Sequence, residues 1–273
     1  FVGVGWYRTE FDVPQFQAGK RATILFDGAM SHANVYINGQ KVGYWPYGYN
    51  SFHFDITKYL KPGEKNTLAV RLENLPESSR WYPGAGLYRN VHLIITEDAY
   101  IPVWGTYITT PSVNEKFAKV NVRTKVVLPE GADPAKYSVE TSVWNPNKQK
   151  LTAVRTSLAQ MKYNNNQAEQ EFVIQAPSLW SPEMPALYSA ETRLYEGDKL
   201  KDIYTTPFGI RSIEIIPDKG FFLNGKRTVF KGVCNHHDLG PLGAAVNDAA
   251  IRRQIRILKD MGCNAIRTSH NMP

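Results

Sequence analysis

The sequence predicts a mainly-β chain: a jelly-roll or other β-sandwich, then an immunoglobulin-like β-sandwich, then the first β-α-β unit of a (β/α)8 TIM barrel. Three observations predict it. Apolar and polar residues alternate with period two through most of the chain, the pattern of half-buried strands. Turn-forming residues punctuate those runs at the short spacing of antiparallel sandwiches. After Ser212 the pattern changes to a short apolar run, an amphipathic helix and a second short run, which is how a parallel strand pair with its crossover reads.

In the first sandwich, Val35-Tyr36-Ile37, Asn38-Gly39 and Gln40 to Tyr44 read as a hairpin, because Asn-Gly accepts positive φ at both central turn positions. Leu68, Val70 and Leu72 alternate with Ala69, Arg71 and Glu73, and Val91, Leu93 and Ile95 repeat the pattern. The alternation pauses near Glu97 to Pro102, then a second all-β stretch begins. Val120, Val122, Thr124 and Val126 predict one of its strands, Tyr137, Val139, Thr141 and Val143 another, and Glu196-Gly197-Asp198 turns a later hairpin. About 110 residues built this way fit an immunoglobulin-like sandwich, without the Cys and Trp signature of antibody domains.

From Ser212, one more hairpin is predicted around Asn224-Gly225. Val229 to Cys234 then forms a strand, Asp248 to Met261 a helix, and Cys263 to Thr268 a second strand. Ile251, Ile255 and Leu258 make the helix's apolar stripe, Asn247 or Asp248 caps its start, and Gly262 supplies the left-handed residue after its end. A doubly wound sheet is the alternative, but no glycine-rich phosphate loop follows the first strand. A parallel pair buried on both faces needs further units to cover it, so the chain is expected to be the front part of a longer protein.

Composition excludes several classes. At 42% hydrophobic and 12% aromatic the chain is globular, and no run of about 18 apolar residues predicts a membrane span. The first residues lack the charged and apolar regions of a signal peptide. The net charge of +7 raises nucleic acid as a partner. Its densest cluster, Arg252, Arg253, Arg256 and Lys259, falls on the polar face of the helix, so a solvated surface is expected and no nucleic acid. Cys234 and Cys263 lie at opposite ends of neighbouring strands, roughly 16 Å apart and beyond disulfide reach, which predicts two free thiols.

The residues able to carry chemistry gather at one place. Asn235, His236, His237 and Asp238 follow the first parallel strand, and Arg267, Ser269, His270 and Asn271 end or follow the second. In a barrel both groups lie at the carboxyl ends of adjacent strands, where substrates bind. Two histidines and an arginine there suit a ligand rich in hydroxyls. A metal is not expected, because His236 and His237 are adjacent and should point apart, and neither a His-X-His nor a cysteine pair is present. Trp45, Tyr47 and Tyr49, with Arg80, Trp81 and Tyr82, read equally as a sugar-stacking surface and as sandwich core.

At these residues the sequence resembles the family-2 glycoside hydrolases, which include β-galactosidases, β-glucuronidases and β-mannosidases. Gly5-Trp6-Tyr7-Arg8 and the segment from Ser79-Arg80-Trp81-Tyr82 to Arg89-Asn90-Val91 resemble its sugar-binding jelly roll. Phe208-Gly209-Ile210-Arg211 resembles the exit of its immunoglobulin-like domain. Lys231-Gly232-Val233 and Ala265-Ile266-Arg267-Thr268-Ser269-His270-Asn271 resemble the start of its catalytic barrel. Cys234 to Gly240 and Gly243 to Asn247 look most like the β-galactosidase type.

The resemblance implies a jelly-roll sugar-binding domain over 1–97, an immunoglobulin-like domain over 98–211 and an incomplete barrel over 212–273. It implies that His236 contacts the sugar in the −1 subsite, that Arg267 is a buried arginine, and that His270 faces the substrate, with Asn271 and Arg80 also binding it. Ser79 and Arg80 stand where some β-galactosidases carry an aspartate that holds galactose and a sodium ion, so no metal or other cofactor is expected. The two catalytic glutamates of this retaining family are expected beyond Pro273, which makes this stretch inactive by itself. Expected partners are oligo- or polysaccharide β-glycosides, with a homo-oligomer as a further expectation and a secreted or periplasmic location implied by the family. Three other readings stand beside a parent enzyme that cleaves terminal β-galactosides: another activity of the family, β-glucuronidase or β-mannosidase; a non-catalytic carbohydrate-binding module; and sandwiches that serve as oligomer scaffolding.

Overall fold

The computed structural model describes residues 2–15, 19–79, 83–160 and 167–270. Arg80, Trp81, Tyr82 and Asn271 lie outside the described residues. The chain divides into two compact units, one of Phe1–Ile95 with Phe230–Pro273 and the other of Thr96–Val229.

The first unit opens with β1 (Gly3–Asp12), β2 (Arg21–Phe26), β3 (Ala33–Ile37), β4 (Gln40–Trp45), β5 (Phe52–Asp55), β6 (Lys65–Asn74) and β7 (Val91–Thr96). They form two sheets in the orders β1-β6-β3-β4 and β5-β2-β7, the first antiparallel throughout, which make the β-sandwich that the alternation predicts. The β3–β4 turn falls on Asn38 and Gly39, with φ of 51° and 80°. Along β6, Leu68, Val70 and Leu72 are buried with their faces on Ile24, Phe26, Val35 and Phe52. Leu93 departs from the pattern and is exposed, while Val91 and Ile95 pack on the core. The buried Asn66 is satisfied on both sides. Its Oδ1 accepts from Lys61 N and Asn38 Nδ2, and its Nδ2 donates to the carbonyls of Lys61 and Glu64.

The second unit continues with β8 (Thr106–Val113), β9 (Phe117–Lys125), β10 (Tyr137–Trp144), β11 (Lys150–Ser157), β12 (Gln167–Gln175), β13 (Tyr188–Glu196) and β14 (Lys199–Phe208). Sheets β11-β10-β13-β14 and β12-β9-β8 make the immunoglobulin-like sandwich. Val120, Val122, Val126, Tyr137, Val139 and Val143 are all buried, as their period-two spacing requires. The next three strands, β15 (Ile213–Ile216), β16 (Gly220–Leu223) and β17 (Lys226–Arg227), form a small antiparallel sheet of their own. Asn224 ties it to the sandwich, donating from Nδ2 to the Trp180 carbonyl at 3.0 Å while its Oδ1 accepts from Ser212 N.

An ion pair in this unit gives a pH prediction. Lys201 Nζ, on a side chain only 7% exposed, lies 2.8 Å from Asp98 Oδ1. That bond holds the Asp98 carboxyl below the usual 3.8 and raises the Lys201 ammonium. A carboxyl with a lowered folded pKa adds stability that is present above 3.8 and lost as pH falls through the lowered value. Asp98→Asn keeps an acceptor for Ala99 N and removes the charge. It is expected to cost about 1 kcal/mol at pH 7, a modest figure because Asp98 is partly open to solvent. The difference between the two proteins should close below pH 3.8 in urea titrations, and a constant difference at every pH would refute the assignment.

The chain returns to the first unit with β18 (Gly232–Asn235), α1 (Asp248–Asp260) and β19 (Ala265–Thr268). β18 and β19 pair in parallel, with Gly232 opposite Ala265 and Asn235 opposite Thr268. Both strands are shorter than the apolar runs suggest. Lys231 N donates to Asn264 Oδ1 and Asn264 N to the Lys231 carbonyl, and this mutual clasp sets where the ladder starts. Val229 and Phe230 are left outside it and exposed. Asn247 caps α1, its Oδ1 accepting from Ala249 N and Ala250 N, and Gly262 follows the helix with φ of 86°. No residue of α1 is buried, and Ile255 of the predicted stripe is 43% exposed. Arg252, Arg253, Arg256 and Lys259 are exposed along its polar face. Both cysteines are free. Among the described residues no helix is long and apolar enough to cross a membrane.

Candidate active-site cleft

The parallel pair sets the geometry of the site. Because β18 and β19 run side by side in register, the residues that follow them emerge together. Ser269 N donates to the Asn235 carbonyl at 3.0 Å, extending the ladder one step, and Ser269 is buried at 3% exposure. The next residue on each strand is a histidine. The rings of His236 and His270 lie 5.2 Å apart, edge to face at 70°. Both open onto a cleft of about 800 Å³ whose other wall is jelly roll: Met30, Ser31, Pro46 to Tyr49, Ser78, Ser79 and Pro83.

His237 points the other way, as adjacent residues on an extended chain must. Its Nε2 donates to the Pro83 carbonyl at 3.0 Å, and its ring meets Tyr49 at 5.5 Å and Tyr88 at 6.4 Å. Val246 N donates to the Tyr88 carbonyl at 2.9 Å. Tyr88 is 5% exposed, and burial pushes its phenol up to about 12. It therefore stays protonated and donates to the Gly48 carbonyl at 2.8 Å. His237 is thus the pin that fastens the segment after β18 to the jelly roll and holds His236 against the cleft. Its adjacency to His236 signals only that the two diverge; the Tyr49 and Tyr88 contacts are long-range and invisible in the sequence.

The other sequence candidates separate. Trp45 turns inward, stacking on Phe52 at 5.6 Å, so it is core and not a sugar platform. Tyr49 is buried beside His237, and Tyr47 is 46% exposed in the cleft wall. Arg267 is exposed, contrary to the buried arginine expected. It lies on β19, at the edge of a two-stranded sheet, and its Nη1 reaches Cys234 Sγ at 3.6 Å. Asp238 is committed to a turn, its Oδ1 accepting from Gly240 N. The described lining therefore offers hydroxyls, two imidazoles and aromatic faces, and no carboxylate, lysine or arginine. Such a lining can offer directional hydrogen bonds and aromatic faces to a ligand rich in hydroxyls. Among the described residues no three His, Cys, Asp or Glu gather as a metal site would need.

The cleft thus lies between a jelly-roll wall and the opening of a parallel β-α-β unit, with a histidine following each of its strands. Three family models match in order: the glycosyl hydrolases family 2 sugar binding domain over 1–97, glycosyl hydrolases family 2 over 100–211, and the glycosyl hydrolases family 2 TIM barrel domain over 214–272. The chain belongs to glycosyl hydrolases family 2.

Its relatives carry two activities in their names. The chain is 45% identical to β-galactosidase BoGH2A of Bacteroides ovatus, over 99% of this chain and 32% of that protein. It is 34% identical to a β-glucuronidase of Bacteroides fragilis, over 98% of this chain and 40% of that one. A solved family-2 member from Bacteroides cellulosilyticus superposes with a TM-score of 0.91 at 37% identity, covering 98% of this chain and 35% of the other. The β-glucuronidase of Bacteroides uniformis gives 0.85 at 30%, covering 100% and 34%. The chain spans about a third of the length of the relatives it matches.

Proposed function

We propose that this chain is the sugar-binding front of a retaining β-galactosidase that removes terminal galactose from oligo- or polysaccharide β-glycosides. The observation that carries the proposal is the His236–His270 pair, 5.2 Å apart at adjacent parallel strand ends and facing a cleft with a neutral described lining. His236 and His270 would hydrogen-bond the hydroxyls of the sugar in the −1 subsite, with Arg267, Asn271 and Arg80 as further substrate-binding residues. In function the chain divides into the sugar-binding domain at 1–97, the immunoglobulin-like domain at 98–211 and the barrel opening at 212–273.

A retaining mechanism needs two carboxyl groups about 5–5.5 Å apart, one protonating the leaving oxygen and the other attacking the anomeric carbon. The proposal places both glutamates beyond Pro273. This chain would then bind and orient the sugar without cleaving it. β-Glucuronidase is the second reading, favoured by the names of the relatives in Bacteroides fragilis and Bacteroides uniformis. A glucuronide carries a carboxylate that wants a cation beside it; since the lining among the described residues holds neither lysine nor arginine, Arg267 or Arg80 would have to supply that cation.

The test is a panel of nitrophenyl glycosides offered to the full-length enzyme and to this chain. The enzyme is expected to cleave the β-galactoside in preference to the β-glucuronide, and the chain to cleave neither. His236→Ala or His270→Ala in the full-length enzyme should lower kcat/KM for the galactoside about 10- to 100-fold, the scale of one lost hydrogen bond to a polar substrate. Preference for the glucuronide would install the second reading, and cleavage by the chain itself would overturn the placing of the glutamates.

A further inference from the structure

Outside the cleft, the outer face of the β1-β6-β3-β4 sheet carries an arrangement that the hydrolytic site does not use. One cross-strand row places Trp6, Arg71, Asn34 and Tyr44 side by side. Trp6 is 60% exposed and Tyr44 46%, large aromatic surfaces for a soluble sheet to leave open. In the next row the residue between β1 and β3 is Ala69, and over this small side chain the Trp6 and Tyr36 rings meet at 5.6 Å. Polar groups frame the rings. His32 Nδ1 and the Tyr44 hydroxyl are hydrogen-bonded at 2.6 Å, and Arg71 Nη1 pairs with Glu73 at 3.2 Å.

This face is continuous with the cleft. Ser31, which lines the cleft, donates from Oγ to the Glu73 carbonyl, and its own backbone carbonyl accepts from Glu73 N, both at 2.8 Å. His32 N donates to the carbonyl of Pro46, another cleft residue. The outer face thus begins at the cleft rim with His32, Tyr44 and Glu73 and runs along the strands to Tyr36. At about 3.4 Å per residue the run spans roughly 14 Å, room for about two or three sugar rings.

We propose that this sheet face binds the distal units of an oligosaccharide whose terminal galactose occupies the cleft, with Trp6 as the stacking platform and Arg71, Asn34 and the His32–Tyr44 pair as partners for hydroxyls. The proposal rests on the galactoside reading of the cleft and adds the substrate class: an extended neutral glycan. Exposed indole and phenol rings framed by hydrogen-bonding groups match the alternating apolar faces and hydroxyl edges of pyranose rings. A second copy of the chain fits less well, because protein interfaces deplete charged residues at their centre and Arg71 stands between Trp6 and Asn34 in this one.

The test titrates this chain with methyl β-galactoside and with β-1,4-linked galactotetraose, following affinity by calorimetry and the Trp6 indole N–H by NMR. The tetrasaccharide is expected to bind at least about tenfold more tightly and to move the Trp6 resonance, which the monosaccharide leaves in place. Trp6→Ala should abolish that tenfold gain, and Tyr44→Ala should reduce it, with affinity for methyl β-galactoside unchanged in both. A tetrasaccharide affinity that survives both substitutions, or a tetrasaccharide that does not bind, overturns the proposal. So does a dimer that light scattering shows to dissociate in Trp6→Ala. If the tetrasaccharide moves Trp6 while methyl β-galactoside fails to bind, the sheet face stands and the galactoside reading of the cleft falls.

Discussion

Phe52→Ala is expected to destabilise the first unit by about 3–5 kcal/mol, the largest stability effect of any single truncation in the jelly roll. Phe52 is 2% exposed and sits where the two sheets meet. Its ring stacks on Phe26 at 4.8 Å and on Trp45 at 5.6 Å, and meets Phe54 edge-on at 5.7 Å. Removing it forfeits the transfer energy of a phenyl ring and leaves a cavity that three aromatic neighbours cannot close without leaving their rotamers. The loss reaches the cleft. Trp45 Nε1 donates to Asn50 Oδ1 at 2.9 Å, closing the loop that presents Pro46, Tyr47, Gly48 and Tyr49 to the cleft. With Phe52 gone, Trp45 loses its stacking partner and the loop loses its base. Two units are present, so chemical denaturation should be read at each separately. The transition of the first unit should move to lower denaturant while that of Thr96–Val229 stays. Val173→Ala, on a side chain 49% exposed in the second unit, should change neither by more than about 0.5 kcal/mol. A Phe52→Ala protein that unfolds like the parent would mean that the aromatic stack does not carry the sandwich.

Much of this was legible because the signals are local. Asn38-Gly39 demands a type of turn that few other residue pairs adopt, and the turn is there. The period-two runs of β6, β9 and β10 decide which face is buried whatever packs against it. Asn247 and Gly262 mark the ends of α1 through contacts within a few residues. The gathering of His236 and His270 was also legible, since a parallel pair brings its carboxyl ends together by construction.

What escaped depends on contacts between distant segments. Trp45 and Tyr47 look alike in sequence, yet Phe52 draws one inward and leaves the other in the cleft wall. The fastening role of His237 needs Pro83, Tyr49 and Tyr88, which only the tertiary fold assembles. Trp6 is recognisable as part of a family motif, but its exposure follows from Arg71 lying opposite it and Ala69 beside it, a matter of register. Arg267 shows the reverse case: its strand was correctly placed, but burial depends on what flanks the strand, and here it stands at a sheet edge.

Gly232→Ala should disassemble the cleft while leaving both sandwiches intact. Gly232 pairs with Ala265 across the β18–β19 ladder, and a Cβ built on it would collide with the Ala265 carbonyl oxygen and lie 2.7 Å from its carbon. The obstacle is backbone, so no rotamer change relieves it; the strands must part. Overpacking costs about 1–3 kcal/mol, and a lone two-stranded pair has little to set against that. Once the strands separate, Ser269 N loses the Asn235 carbonyl, and nothing holds His270 within 5.2 Å of His236. Hydrogen exchange at Asn235 and Ser269 should accelerate by at least about tenfold, and methyl β-galactoside should no longer bind detectably. Exchange along β6 and β9 should stay as slow as in the parent. His237→Ala attacks the same assembly from its other side, by removing the bond to Pro83 while sparing the ladder. It should weaken sugar binding with Ser269 still protected. If Gly232→Ala instead keeps Ser269 protected and binds sugar fully, strand pairing is not what positions the two histidines, and the cleft must be held by the His237 contacts alone.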